Sequence, residues 1–175
     1  MPNAELNIIK LFSDKPDVEL TIHQISKNIK KSYAFTNKYA HAMIKQDLLK
    51  KKVIGNAIVC SLNKDNEQLI GLLVMDSINK KMQFEHSLKD SSKTELSTFL
   101  KDISDVKTVF MSDSSITIVS DKLNHNLSNK KIAGFKINTV DYTSFLKTKI
   151  DIELSSVIVL KNHEQFWSMI HNVSR

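Results

Sequence analysis

The chain has 175 residues and a formal net charge of +6, a length that allows one domain or two small ones. Its hydrophobic content of 41% is enough for a packed core, and its single cysteine, Cys60, excludes an intramolecular disulfide and a cysteine-based zinc site. Glu5 and Lys10 interrupt any signal sequence, and the longest apolar run, residues 69–75, is too short to cross a membrane, so we expect a cytoplasmic protein.

The N-terminal part of the chain predicts three helices. Leu6, Ile9 and Phe12 recur at helical spacing and indicate a first amphipathic helix. Thr21 and Gln24 have the spacing of a capping box, in which the two side chains satisfy the free amides at a helix start. We therefore expect a second helix to begin here, with the isoleucines at 22, 25 and 29 on its inner face.

Ser32 is a favourable N-cap and predicts a third helix that runs to about residue 46. Tyr39 and Met43 are expected to face inward, with Phe35 as a further candidate. The residues expected to face mostly outward are Ser32, Tyr33, Thr36, Asn37, Lys38, His41 and Lys45.

Two segments rich in β-formers follow, at residues 48–53 and 57–62, with Gly55 and Asn56 between them as a turn signal. Three lysines lie along the first of these segments: Lys50, Lys51 and Lys52. Helix, turn, helix and hairpin in this order are the plan of a winged helix-turn-helix, which usually places one helix in a DNA major groove.

The positive charge is concentrated in this part of the chain. Residues 1–62 carry a net charge of +5, whereas residues 63–175 carry +1. We therefore predict that this part binds double-stranded DNA. Taken by itself, the positive charge is also explained by lysines that only keep a protein surface solvated. The predicted DNA-binding residues are Lys30, Lys31, Ser32, Tyr33, Thr36, Asn37, Lys38, His41, Lys45, Lys51, Lys52 and Asn56.

The only arginine is Arg175, so the bidentate contact between arginine and guanine is unavailable to the recognition helix. Base recognition would fall to Asn37, Thr36, Ser32 and Tyr33, which suit adenine and the thymine methyl group. We expect a modestly specific or A·T-leaning site. An alternative explanation for the scarcity of arginine is that an A·T-rich genome favours lysine codons over arginine codons.

Beyond the hairpin, a strongly apolar helix is predicted over residues 68–78, and a helix that is apolar on most sides is buried. Its run from Leu69 to Met75 is expected to pack between domains or to pair two subunits. The predicted organisation is a winged helix-turn-helix domain with this trailing helix over 1–78, a linker over 79–93 and an α/β domain over 94–175. The expected fold class is α+β.

The last eighty residues alternate between helix and strand patterns, as in a small α/β unit. The predicted elements are a helix marked by Leu96, Phe99, Leu100 and Ile103, strands at 106–111, 115–120 and 132–140, a helix at 141–149, a short β-branched segment at 157–160 and a helix at 165–172.

This layout resembles archaeal proteins that join a winged helix to a minimal nucleotidyltransferase-like domain. The segment SDSSITIVSD at 112–121 is similar to the Ser-Asp-x-Asp segment and apolar strand of that family, and the ending with Phe166 and Trp167 is also similar. The resemblance implies nucleotidyl transfer, for which carboxylates must cluster around divalent metal ions.

The sequence departs from this family where the chemistry would lie. Asp113 occupies the first carboxylate position, Ser115 occupies the second, and no Asp or Glu lies between Lys122 and Val140. The Gly-Ser turn of the family is missing as well. We therefore interpret Asp113 as a turn residue and predict a catalytically inactive domain for dimerisation or sensing, without a metal or cofactor.

Together these patterns predict a homodimeric DNA-binding protein that regulates transcription and is not an enzyme. The six histidines are scattered, and no Gly-x-Ser-x-Gly elbow or glycine-rich phosphate loop is present. One alternative is an active nucleotidyltransferase that docks through its winged helix and binds nucleotide and magnesium near Asp113. Another is an antitoxin-like module whose winged helix binds a partner protein.

Overall fold

A computed structural model of the protein describes residues 3–13, 15, 17–122, 127, 130–147 and 152–173. The chain divides into two compact units, Met1–Asp76 and Ser77–Arg175. The elements of the first unit are α1 (Asn3–Ser13), β1 (Leu20–Thr21), α2 (Ile22–Asn28), α3 (Tyr33–Lys45), β2 (Leu49–Ile54), β3 (Ala57–Leu62) and the first part of α4 (Glu67–Ser87).

Both predicted helix caps of the first unit are confirmed. The backbone N–H of Gln24 donates to Thr21 Oγ1 at 3.1 Å, and the backbone N–H of Thr21 donates to Gln24 Oε1 at 2.8 Å. At the next helix, Ser32 Oγ accepts from the backbone N–H of Phe35 at 3.3 Å. These bonds satisfy amides that would otherwise lack partners, and they explain where α2 and α3 begin.

The predicted hairpin is also confirmed. Strands β2 and β3 pair in antiparallel register from Leu49 opposite Leu62 to Ile54 opposite Ala57, and β1 adds a short third strand in the order β1-β3-β2. The loop therefore has two residues, and its first, Gly55, has a φ of 57° that suits glycine. Helices α2 and α3 followed by this hairpin make the unit a winged helix-turn-helix.

A hydrophobic core fills the first unit. It includes Ile8, Ile9 and Phe12 of α1, Ile22 and Ile25 of α2, Met43 of α3, Leu49 of β2 and Cys60 of β3, all 2% exposed or less. In α4, Leu69, Leu72 and Leu73 are buried as well, at 7% exposed or less. These leucines recur at the spacing of one helical face, which turns inward. The prediction that residues 69–75 pair two subunits is therefore wrong for the leucines, and Met75 is the exposed large side chain of the run at 45%.

The second unit is a five-stranded mixed sheet with helices on both faces. The strand order is β6-β7-β5-β4-β8, in which β5 and β7 are parallel and the other neighbours are antiparallel. After the second part of α4, its elements are α5 (Asp90–Asp102), β4 (Thr108–Ser112), β5 (Ser115–Ser120), β6 (Lys131–Ile132), β7 (Phe135–Asp141), α6 (Tyr142–Lys147), a 3-10 turn (Leu154–Ser156), β8 (Ile158–Lys161) and α7 (His163–Val173).

Alternation along the strands divides the core of this unit into two layers. On one face, Leu96 and Leu100 of α5 pack with Val109 of β4 and Ile118 of β5. On the other face, the ring of Phe110 lies 6.0 Å from Phe145 of α6 and 5.3 Å from Phe166 of α7, measured between centroids. A small sheet thus buries both faces, which explains why its central strands are so apolar.

Two predictions for this region are wrong. Residues 79–93 were expected to form a linker, but 79–87 continue α4 and 90–93 begin α5. The segment 132–140 was expected to be one strand, but β6 and β7 form a hairpin with Ala133 and Gly134 in its loop. Both loop residues have positive φ, 53° and 87°, as a tight turn of this kind requires.

Candidate nucleic-acid interface

The outward face of α3 carries three of the predicted DNA contacts, at Lys38, His41 and Lys45. Ala34, Lys38, His41 and Lys45 are exposed and recur every three or four residues, so they form one stripe along the helix. Their opposite face bears Ala40 and Met43, both fully buried. The second helix of the helix-turn-helix therefore presents two cationic side chains and a histidine to solvent.

Thr36 does not belong to this exposed stripe. Its side chain is fully buried, and its Oγ1 donates to the backbone carbonyl of Ser32 at 3.0 Å. A threonine four residues before Ala40 and seven before Met43 lies on their face of the helix, and the bond to Ser32 satisfies its hydroxyl there. The expected outward position of Thr36 is wrong, which argues against a DNA contact by its side chain, and Asn37 beside it is half-buried.

Aromatic side chains surround the start of α3. Tyr33 is 53% exposed and Phe35 is 37% exposed, so the expected inward position of Phe35 is wrong. The Phe35 ring instead packs on the half-buried Tyr39 ring, with centroids 4.7 Å apart. Tyr33 and Ser32 remain accessible at the N-terminus of the helix.

The three lysines of the hairpin wing differ in their surroundings. Lys50 Nζ lies 2.9 Å from Asp65 Oδ2, and Lys52 Nζ lies 3.9 Å from Glu19 Oε2. Lys51 points to the opposite side of β2 and has no carboxylate within ion-pair distance among the described residues. Carboxylates therefore partly neutralise one side of the wing, whereas no carboxylate of a described residue offsets the charge of Lys51 on the other side.

Lys51 also lies directly across the sheet from Cys60. Burial raises the pKa of the Cys60 thiol, while the positive charge of Lys51 acts in the opposite direction. Cys60 is fully buried and packs in β3 as a small apolar residue. Its nearness to Lys51 places the lysine charge close to the body of the domain rather than at the wing tip.

The other predicted phosphate contacts are exposed, and no carboxylate of a described residue pairs with them. Over the part of the chain that the structure describes, none of Lys30, Lys31, Lys38 and Lys45 has a carboxylate within ion-pair distance, and all four are exposed. Lys30 and Lys31 lie between α2 and α3, where Lys30 adopts a positive φ of 54°. With Lys51, they give the first unit five cations that no acid of the described residues offsets.

The second unit holds the residues of the resemblance, and their geometry departs from it. Asp113 lies with Ser114 in the two-residue loop between β4 and β5, at a positive φ of 51°. The two strands thus join directly, without the short helix that the resembling family has between them. Among the described residues, no three His, Cys, Asp or Glu side chains lie close enough to hold a metal ion.

A different aspartate in this unit has a strongly shifted pKa. Hydrogen bonds from Ser144 and Thr143 to Asp141 lower the pKa of its carboxyl to about 2. Asp141 directly precedes α6, where a carboxylate that accepts from the first helical amides acts as an N-cap. The shift is therefore explained by a structural role.

Solved structures of the Lactococcus lactis protein ZitR are similar to part of the chain. A double mutant of ZitR aligns at 17% identity over 58% of this chain and 71% of its own, with a TM-score of 0.37. ZitR described as a zinc-responsive MarR family member aligns at 17% identity over 58% and 72%, with a TM-score of 0.36. No family model and no curated protein matches the sequence. Likeness at this distance assigns neither a family nor a function.

None of the described helices is long and apolar enough to span a membrane.

Proposed function

We propose that the protein binds double-stranded DNA through its winged helix-turn-helix and regulates transcription. One observation supports this proposal above the others: five exposed lysines on α3, beside its start and on the wing have no acidic partner among the described residues. Each lysine placed on a phosphate releases condensed counterions, which gives affinity without base recognition. Their roles are to hold and orient the duplex.

Base contacts in this proposal come from the exposed side of α3. Tyr33 and Ser32 at its N-terminus, His41 at its centre and the accessible part of Asn37 meet the base edges. The phosphate contacts are Lys30, Lys31, Lys38, Lys45 and Lys51, with Lys52 weakened by its nearness to Glu19. Asn56 at the wing tip is exposed and completes the set.

The test is fluorescence anisotropy with a labelled random-sequence duplex, titrated with the protein at several salt concentrations. We expect binding at low salt that weakens linearly on a logarithmic scale, with a slope of about −4 to −5 if five phosphates are neutralised. A flat salt dependence, or no binding at low salt, would contradict the proposal.

For the second unit we propose a non-catalytic role in dimerisation or ligand sensing. The departures at Asp113 and Ser115 support this reading of the nucleotidyltransferase resemblance, because a single carboxylate in a tight turn makes a poor metal site. Ile78 and Met82, four residues apart on one face of α4, are 41% and 51% exposed and offer an apolar contact for a second copy.

A protein partner for the winged helix is the second candidate function. Phe35, at 37% exposed, is the observation that favours it, since an exposed aromatic ring beside Tyr33 could anchor an interface as well as a base. Anisotropy separates the two candidates, because a protein-binding module would not bind a random duplex with a steep salt dependence.

A further inference from the structure

Two exposed apolar side chains lie at the tip of the wing. Val53 is 62% exposed and Ile54 is 53% exposed, which makes them the two most exposed large apolar side chains of the hairpin. They are consecutive and directly precede the loop residues Gly55 and Asn56. Isolated surface apolar residues are common, whereas these two are neighbours at the end of one hairpin.

The geometry of the tip makes it narrow and apolar on both sides. Val53 pairs with Ile58 and Ile54 pairs with Ala57, so the last two residues of β2 point to opposite faces of the hairpin. The loop that joins the strands has only two residues. At Gly55, no atom lies within 4 Å of the position that a Cβ would occupy, so the loop is open on that side.

Positive charge lies directly behind this tip. Lys51 precedes it on β2 with no carboxylate within ion-pair distance among the described residues, whereas the flanking Lys50 and Lys52 lie 2.9 Å and 3.9 Å from the carboxylates of Asp65 and Glu19. An apolar end on a cationic stem fits a narrow groove whose two rims are anionic. The minor groove of DNA has this form, with a width of about 6 Å that admits individual side chains.

We propose that the wing tip enters the minor groove and that Val53 and Ile54 act there as an apolar wedge, opening a base step and bending the duplex. This rests on the proposed DNA binding of the protein. Asn56 would face the adenine and thymine acceptors at the groove floor, while the guanine 2-amino group would obstruct the wedge. Pyrimidine–purine steps such as TA need the least free energy to unstack, so we expect the wedge to prefer them.

The experiment compares three duplexes of one length: alternating A·T, alternating G·C, and the G·C sequence with inosine in place of guanine. Inosine removes only the 2-amino group, so the third duplex keeps the major-groove pattern of G·C but has a minor groove like A·T. Anisotropy measures affinity, and energy transfer between dyes at the duplex ends measures bending. The variants are Val53→Ser with Ile54→Ser, and Val53→Ile with Ile54→Leu as the control that keeps an apolar tip.

We expect the wild type and the conservative variant to bind the inosine duplex at least about fivefold more tightly than the G·C duplex, the size of one unfavourable base pair. Both should bend the A·T and inosine duplexes by roughly 20–90°. The serine variant should lose the preference and the bending but keep its salt slope, because its lysines are intact.

Two results would overturn the inference in different ways. If the wild type binds all three duplexes equally and leaves them straight, DNA binding stands but the tip is not a wedge. If no duplex is bound at low salt, the proposed function fails and the wedge fails with it. Thermal unfolding of the serine variant should match that of the wild type, since both substituted side chains are exposed.

Discussion

At the scale of single residues, the ion pairs of the wing decide which lysines are available to a polyanion. Lys50 is paired with Asp65 across fifteen residues of sequence, whereas Lys51 next to it has no acid near it among the described residues. An exposed ion pair contributes little to stability, but it does lower the local positive potential. The same residue type at adjacent positions can therefore have different roles in binding.

This difference gives a matched pair of variants. Lys51→Ala should weaken binding to random duplex DNA and reduce the magnitude of the salt slope by about 1, because one phosphate contact is lost. Lys50→Ala removes the same charge from the chain but should leave the salt slope within error of the wild type. Anisotropy at four or more salt concentrations measures both. Equal slopes for the two variants would show that the ion pair with Asp65 does not distinguish them.

Thr36 and Tyr33 provide a second contrast, between folding and binding. Thr36→Val keeps the shape of the side chain but removes the hydroxyl bond to Ser32, so the free energy of unfolding should change by no more than about 1 kcal/mol. Its affinity for DNA should equal that of the wild type, because the side chain is fully buried.

Tyr33→Ala should behave in the opposite way, with little change in stability and a weaker complex, since Tyr33 is 53% exposed. Urea unfolding and anisotropy on the same samples separate the two quantities. If Thr36→Val weakens DNA binding in protein that is fully folded, burial of this residue is not its whole role.

At the scale of elements, the winged helix could be predicted because its signals are local. The Thr21–Gln24 capping box, the Ser32 cap and the Gly55-Asn56 turn each act within three or four residues, and each is formed as expected. Local signals could not predict that the Thr36 side chain faces the core. A polar side chain is expected outside unless a bond to the preceding turn satisfies it inside, and that bond depends on the packing of α3.

The second unit was harder to predict for a physical reason. The second part of α4 carries polar residues such as Lys80, Lys81 and Gln83, so its few apolar residues are too sparse to show that the helix continues to Ser87. The loop at Ala133 and Gly134 is a weak turn signal because only one of its residues is glycine. The sequence could not predict which lysines of the wing are neutralised, because only folding brings Asp65 close to Lys50 and Glu19 close to Lys52.

One contact between elements of the second unit should make its stability depend on pH. Ser77 Oγ of α4 lies 2.7 Å from His163 Nδ1 at the start of α7. Partial burial, with a smaller contribution from the charge of Lys81, lowers the pKa of His163 from 6.5 to about 4. The folded state therefore disfavours the protonated ring.

The sign of the effect follows from which state binds the proton. Above about pH 6.5 neither state is protonated, and the stabilisation is complete. Between pH 6.5 and pH 4 the unfolded chain binds a proton that the folded state does not, so stability falls as the pH falls. Because the ring is partly exposed, we expect a loss of only about 1 kcal/mol at pH 5, or a few degrees in Tm.

Thermal unfolding at pH 7.5 and pH 5 measures this loss. His163→Gln should remove the corresponding part of the pH dependence, because glutamine does not titrate. His86→Gln, an exposed histidine of α4, should leave the pH dependence unchanged and serves as the control. An identical pH dependence in wild type and His163→Gln would show that the link to Ser77 does not govern stability in this range.

At the scale of the whole molecule, the question is how two small units produce a useful affinity for DNA. A winged helix with about five phosphate contacts loses much of its affinity at physiological salt. In a dimer, binding of the first winged helix to DNA raises the effective concentration of the second one. The overall affinity for DNA therefore increases without any new type of contact. The proposed dimer is therefore tied to function, and it requires an apolar surface that the fold leaves uncovered.

Met82 on α4 offers such a surface, with Ile78 four residues before it. Met82→Lys should convert the dimer to a monomer in sedimentation velocity at micromolar protein, because it places a charge within the apolar contact. Gln83→Lys adds the same charge one position along the helix, on a face turned by about 100°, and should remain dimeric. At physiological salt, Met82→Lys should also bind DNA more weakly than Gln83→Lys. A wild type that sediments as a monomer, or two variants that behave alike, would show that this face of α4 does not join two copies.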